Sequence, residues 1–270
     1  MEIFADENIL SLYRDCSHLE SLRIPEASDS LIIVPGHALL RSTTVIDSNF
    51  NPTDISFWSL NEFQSADELS LILGHIRTGV SKLFEIPTSV LCFSGACTRH
   101  DGIGWTEGLS YYAVARHCCW WVDSTDLSLS DVDSRVFVDA YALDSFGNMW
   151  IPIYSFYLVH PKHVFPLRVI VVNYEFKRAL YERHAQFLNV PHFEYIGLAN
   201  PHNLDLCRVQ EKISHLIRAY EADPYGENPG SEIYCKLQQR NVLHISYPYG
   251  SSRELVEYCR SSYAQSARSV

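Results

Sequence analysis

The chain has no long hydrophobic run. Its richest stretch, WIPIYSFYLV, stops at His160-Pro161, well short of the roughly 18 to 20 residues that span a bilayer. Positive charge is scarce: 21 Lys and Arg stand against 32 Asp and Glu, a formal net charge of −11. Long-range repulsion therefore opposes indiscriminate binding to polyphosphate or anionic membrane, while a local basic patch stays open. No CxxC pair occurs, and Cys92, Cys97, Cys118 and Cys119 read as core or neutral thiols. The HxxH of His160 and His163 straddles Pro161, which argues against one helix presenting both to a metal. A Walker A motif is absent. Gly102, Gly104 and Gly108 spell GxGxxxG, one residue off the dinucleotide spacing. The first residues, MEIFADENILSLYRDC, have neither a basic segment followed by an apolar core nor an Arg-rich transit pattern, so a cytoplasmic location with reduced thiols is expected.

What the chain does have is 270 residues, 47% of them hydrophobic, enough to bury a core without staples. Short apolar runs at 30–34, 89–93, 135–138, 167–172 and 193–196 read as buried strands. Between them lie helical patterns at 67–84, 107–119 with Thr106 as cap, 145–159, 176–188 and 204–222. Alternating apolar strands and helices predict βαβ crossovers and a parallel sheet covered on both faces. The expected organisation is an N-terminal helical segment (1–28), an α/β domain (29–222) and a loop-rich C-terminal appendage packed on it (223–270).

In such sheets ligands sit beyond the carboxyl ends of the strands, so the residues after each strand are the candidates. The segment FSGACTRHDGIGWTEGLSYY places a Ser94-Gly95 turn, Thr98, Arg99 and a helix start at Glu107 together. Turn N–H groups, a hydroxyl, a guanidinium and a helix N-terminus suit a phosphate or carboxylate. The competing reading is a tight loop with Arg99 on the surface. Ser94 could also be a nucleophile, although it lacks the GxSxG elbow. In DAYALDSFGNM, Asp144 or Ser145 can cap the next helix. Asp139 ends a buried strand and, with Glu107 and Asp144, could line an acidic pocket for a guanidinium, an ammonium or a ribose diol. In NYEFKRALYERH, Lys177 and Arg178 open a helix, where cations oppose the macrodipole. They either face an anion or form a solvated face with Glu182. His37, after Gly36, is a lone histidine with a structural and a catalytic reading.

FSGACTR followed by EGLSYYAVA resembles the domain-of-unknown-function-218 (YdcF-like) family in its fungal branch. LIIVPGHAL, FWSLNEFQ with HIRTGV, DAYALDSFGN, VVNYEFKRALYERHA, FEYIGLANP, and DPYG with KLQQRN follow in matching order. The resemblance implies a Rossmann-like α/β fold. It implies a site built from Ser94, Gly95, Thr98, Arg99, Glu107, Ser110, Asp139, Asp144, Asn148, Lys177 and Arg178. Ala96 replaces the usual second glycine and Asp139 the usual Glu, which marks a specialised branch.

A fungal branch that the chain resembles contains the arginine-containing cyclodipeptide synthases of secondary metabolism. The expected function is thus joining arginine from Arg-tRNA to a second aminoacyl group as a diketopiperazine, with no cofactor. Ser94, Glu107 and His37 would be catalytic. Gly36, Gly95, Thr98, Arg99, Ser110, Tyr111, Asp139, Asp144, Ser145, Asn148, Lys177 and Arg178 would bind substrate. The partners would be aminoacyl-tRNAs, held weakly and in a salt-sensitive way, with no metal and no membrane. Two alternatives stand beside this reading: a nucleotide- or S-adenosylmethionine-binding transferase, and a non-catalytic interaction protein.

Overall fold

A computed structural model describes residues 19, 22–60, 66–121, 132–202 and 204–266. Most of the expected N-terminal helical segment lies outside the described residues. Leu19 and Ile24, at its end, are buried.

Five parallel strands form the sheet: β1 (Ser30–Pro35), β4 (Ser89–Ser94), β5 (Val136–Asp139), β6 (Arg168–Tyr174) and β7 (His192–Leu198). Their order is β5-β4-β1-β6-β7. The chain starts at the centre, builds one half, crosses over and builds the other, so β1 and β6 flank the point where the direction of winding reverses. This is the doubly wound Rossmann-like arrangement, in which that point opens a crevice beyond the strand ends. Two short antiparallel strands, β2 (Leu39–Leu40) and β3 (Trp58–Ser59), lie in the stretch after β1. They leave no sequence signal, because two residues cannot show an alternation.

Side chains alternate across the sheet, as the two-residue strand period requires. Leu31 and Ile33 of β1, Val90 and Cys92 of β4, and Val169 and Val171 of β6 enter one core layer. Ile32, Val34, Leu91, Phe93, Ile170 and Val172 enter the other. The second layer is closed by α1 (Ala66–Glu85) and α2 (Glu107–His117). The first is closed by α3 (Gly147–Val159), which is the WIPIYSFYLV segment with Pro152 inside it, and by α4 (Arg178–Leu188). Helix α5 (Leu206–Ala222) packs outside α4.

The C-terminal segment is more ordered than its composition suggests. It forms α6 (Glu232–Arg240) and α7 (Ser252–Ser266). Ile233, Leu255, Val256, Cys259 and Tyr263 join the same core layer as α3. The segment packs on the domain as expected, with two helices among its loops. Among the described residues no helix is long and apolar enough to cross a membrane.

Candidate functional site

The turn after β4 is sealed. Gly95 N–H donates to the Asp139 carbonyl at 3.0 Å and Ala96 N–H to the Ala142 carbonyl at 2.8 Å. At the start of α2, Glu107 and Gly108 N–H donate to the Ala96 and Gly95 carbonyls at 3.2 and 3.0 Å. Leu109 N–H goes to the Thr106 hydroxyl at 3.0 Å, the cap expected from sequence. The Gly95 and Ala96 N–H groups are thus taken by carbonyls and are not offered to an anion. The last residue of β5 and the loop after it supply the carbonyls.

Glu107 rises between the ends of β1 and β4. A Cβ on Gly36 would overlap Glu107 Cβ and stand 3.0 Å from Oε2. Gly95 has φ +146°, a conformation open to glycine, and a Cβ there would lie 2.8 Å from Oε2. The two glycines thus make room for the carboxylate. Thr98 donates to Glu107 Oε1 at 2.8 Å, which uses its hydroxyl proton. Arg99 Nη2 lies 3.6 Å from the same oxygen and donates to the His37 carbonyl at 3.3 Å. Arg99 Nε and Nη1 are buried with no hydrogen-bond partner among the described residues.

His37 lies beside them. Its Nε2 is 2.7 Å from Asn173 Oδ1 and its Nδ1 is 3.4 Å from Lys177 Nζ. Its backbone N–H donates to the Tyr111 hydroxyl at 2.9 Å. Burial first, then the Lys177 charge, holds the imidazole well below the usual histidine range. His75 of α1 packs edge-on to Tyr174 at 4.4 Å and against His37 at 5.7 Å. Both its ring nitrogens are buried without a partner among the described residues. Burial, then Lys177, pushes its pKa down to about 3. Burial, then the charges of Arg240 and Lys236 on α6, lowers the Lys177 ammonium to about 7, while Glu107 and Glu68 oppose the shift.

Other residues singled out from the sequence have structural partners. Ser94 Oγ is fully buried, 2.6 Å from Asp139 Oδ2 and 2.8 Å from Asn148 Oδ1. Asp139 Oδ1 accepts from Tyr141 N–H at 2.7 Å. Burial dominates over these bonds and raises its pKa to about 6. Ser110 Oγ accepts from Leu40 N–H and donates to the Thr106 carbonyl, pinning β2 to α2. Asp144 caps α3 through Gly147 N–H and takes the Tyr220 hydroxyl proton, both at 2.7 Å. Ser145 Oγ meets His184 Nε2 at 3.1 Å and Tyr220 at 3.3 Å. Arg178 pairs with Glu175 and Glu182 and donates to the Tyr195 carbonyl, which is the solvated-face reading. Each of Glu107, Asp139 and Asp144 thus has its own hydrogen-bond partners.

The structure therefore gathers Gly36, His37, Gly95, Thr98, Arg99, Glu107, Tyr111 and Lys177. It adds Asn173, His75, Tyr174, Glu68, Lys236 and Arg240. Asn173 had a usable signal: like Asp139, it is a polar residue at the end of an apolar strand. His75 looked like part of the helical apolar stripe between Ile72 and Ile76. Two cavities of about 280 and 300 Å³ lie elsewhere, one between α4 and α5 and one under α6 and the 245–252 loop. Their linings lack this group of cations. We place the chemistry at the strand ends, where the charged and orphaned groups converge. Among the described residues, no group of three or more His, Cys, Asp or Glu could hold a metal.

No protein-family model matches the chain, and no solved structure matches it. It is 24% identical over 267 residues to "Uncharacterized protein YOR238W" of Saccharomyces cerevisiae, an alignment covering 82% of this chain and 86% of that protein. That similarity extends over most of both chains and carries no activity with it.

Proposed function

We propose that the group of side chains at the ends of β1, β4 and β6 is an acyl-transfer site for substrates carrying phosphate. In this reading the protein is a tRNA-dependent aminoacyl transferase resembling the arginine-containing cyclodipeptide synthases. It joins arginine from Arg-tRNA to a second aminoacyl group as a cyclic dipeptide. The observation that supports it is the gathering of cations in an acidic chain. With a net charge of −11, Lys177 still has Lys236 and Arg240 close enough to depress its ammonium. Arg99 nearby keeps two buried nitrogens without partners among the described residues. Cations grouped against the balance of the whole chain suit a local anion. The 3′ end of an aminoacyl-tRNA brings phosphate beside an activated ester. Glu107 and Glu68 are the carboxylates that act on Lys177 and would receive the arginine side chain.

The chemistry is aminolysis. The amine of one aminoacyl group attacks the ester carbonyl of the other, a C–N bond forms, and a tRNA hydroxyl leaves. The new amine terminus repeats the attack on the second ester and closes the ring. Positioning and a polarised carbonyl supply the acceleration, because the esters are already activated.

The test is incubation of the purified protein with Arg-tRNA and a pool of aminoacyl-tRNAs, followed by mass spectrometry. An arginine-containing diketopiperazine is expected, with Arg-tRNA retention falling steeply as salt rises. A folded protein that gives no product and does not retain Arg-tRNA at low salt overturns the reading. The second reading, a nucleotide or S-adenosylmethionine ligand, is favoured by the position of the cleft at the switch in strand order. It predicts thermal stabilisation by adenosyl ligands.

A further inference from the structure

The hydrogen bonds under the cleft fix a tautomer. Asn173 Oδ1 accepts the Tyr174 backbone N–H at 2.7 Å, which identifies that end of the carboxamide as the oxygen. The same oxygen lies 2.7 Å from His37 Nε2. Nε2 must therefore carry the proton and donate. In the neutral ring Nδ1 is then an acceptor, and Lys177 Nζ, 3.4 Å away, points a proton at it. Tyr174 packs against the ring at 4.9 Å and His75 meets it in an edge contact at 5.7 Å, while Tyr111 and Arg99 hold its backbone. An imidazole engaged at both nitrogens is poorly placed to accept a substrate proton. What it does is aim an amine.

We infer that Lys177 is the group that takes the proton from the attacking amine, and that His37 and Asn173 are positioning residues that hold its Nζ in the cleft. The inference rests on the transfer reading above and moves the catalytic role from His37 to Lys177. Lys177 Nζ takes one proton from the substrate ammonium, and the neutral amine forms the C–N bond. As the ester C–O bond breaks, the nitrogen of the adduct passes its extra proton to the departing tRNA oxygen. Lys177 then returns its own proton to solvent.

The groups facing Lys177 come from every neighbouring element. Glu68 and His75 lie on α1 and Glu107 on α2. His37 follows β1, and Lys236 and Arg240 lie on α6. The cations and burial outweigh the carboxylates and keep a large share of the amine neutral near pH 7, where a general base works best.

The whole protein is to be trace-labelled with acetic anhydride from acid to alkaline pH and each lysine followed by peptide mass mapping. Lys177 should label with a midpoint near 7, against about 10.4 for an ordinary lysine, giving roughly a thousandfold larger neutral fraction at pH 7. Nitrogen-15 spectra should show His37 protonated at Nε2, and Asn173→Ala should mix the two tautomers. A Lys177 midpoint above about 9.5, or a His37 ring protonated at Nδ1, overturns the inference even where Arg-tRNA is turned over. Neither measurement uses tRNA, so a tRNA reading that fails leaves both standing. Where turnover is measured, Lys177→Ala should lower it on the order of 100-fold or more, with partial rescue by methylamine. Turnover of Lys177→Ala at the wild-type rate overturns the assignment.

Discussion

The Glu107 carboxylate occupies the space that a side chain on Gly36 would fill. A Cβ at Gly36 would overlap Glu107 Cβ and approach Oε2 to 3.0 Å. The helix α2 start, and with it Thr98 and Arg99, is thereby set by the absence of one methyl group on β1's exit. Gly36→Ala should force α2 outward at a cost of about 1 to 3 kcal/mol, on the order of 5 °C in thermal midpoint. Gly74→Ala is the control. It sits on α1 with no atom within 4 Å of its new methyl, and should be neutral or stabilising by up to about 1 kcal/mol. Equal midpoints for Gly36→Ala and the parent would show that α2 is not seated this way.

Asp139 should give stability a pH slope of known sign. Its folded value is about 6, against about 3.9 unfolded. Between those values the folded state holds the proton more tightly. The group's contribution is therefore best below about 4 and declines as pH rises through 6. The geometry supplies a reason. Asp139 Oδ2 and Asn148 Oδ1 both converge on Ser94 Oγ, and one hydroxyl proton cannot serve two acceptors. A protonated Asp139 completes the chain. Asp139→Asn completes it too, through its NH₂ group. Urea midpoints at pH 4.5 and 7 should show wild type losing on the order of 1 to 3 kcal/mol relative to Asp139→Asn over that interval. A variant that tracks wild type at both pH values would contradict this account.

The strand and helix order could be read from the chain because each core strand is apolar end to end and α1 has a clean apolar stripe. Thr106 was readable as a cap because capping is local. The site was harder for a matching reason. His37 and Lys177 are 140 residues apart and meet only because β1 and β6 are neighbours in the sheet. The Ser94-Gly95 turn looked like an open nest because the carbonyls that occupy it belong to Asp139 and Ala142, on the next strand and its loop. Helix α6 is short and buries fully only Ile233, so the sequence offers Lys236 and Arg240 as cations without placing them beside Lys177.

Arg99 and Arg178 should separate on mutation, although both were read from sequence as anion ligands. Arg178 is 39% exposed and spends its guanidinium on Glu175, Glu182 and the Tyr195 carbonyl. Arg178→Ala should cost no more than about 1 kcal/mol of stability and leave Arg-tRNA retention unchanged. Arg99 is half-buried, with Nε and Nη1 buried and unpartnered among the described residues. Arg99→Ala should weaken retention at fixed salt by about tenfold or more, the worth of one charged hydrogen bond. The reverse pattern in a filter-binding series would move the anion site to the outer face of α4.

Asp144 should behave as part of the scaffold. One oxygen caps α3 through Gly147 N–H and the other accepts from Tyr220, each at 2.7 Å. Tyr220→Phe removes a buried donor and should cost about 1 to 3 kcal/mol. Asp144→Asn keeps the cap oxygen while turning an NH₂ toward the tyrosine, so two donors face each other unless one yields. Once Tyr220→Phe has removed the hydroxyl, that conflict is gone and the asparagine loses no partner. The double variant should then be destabilised by less than the sum of the singles, with an interaction of at least about 0.5 kcal/mol. Chemical denaturation of the four proteins measures it. Additivity within about 0.3 kcal/mol would mean that the two groups do not depend on each other, and Asp144 would again be available to a ligand.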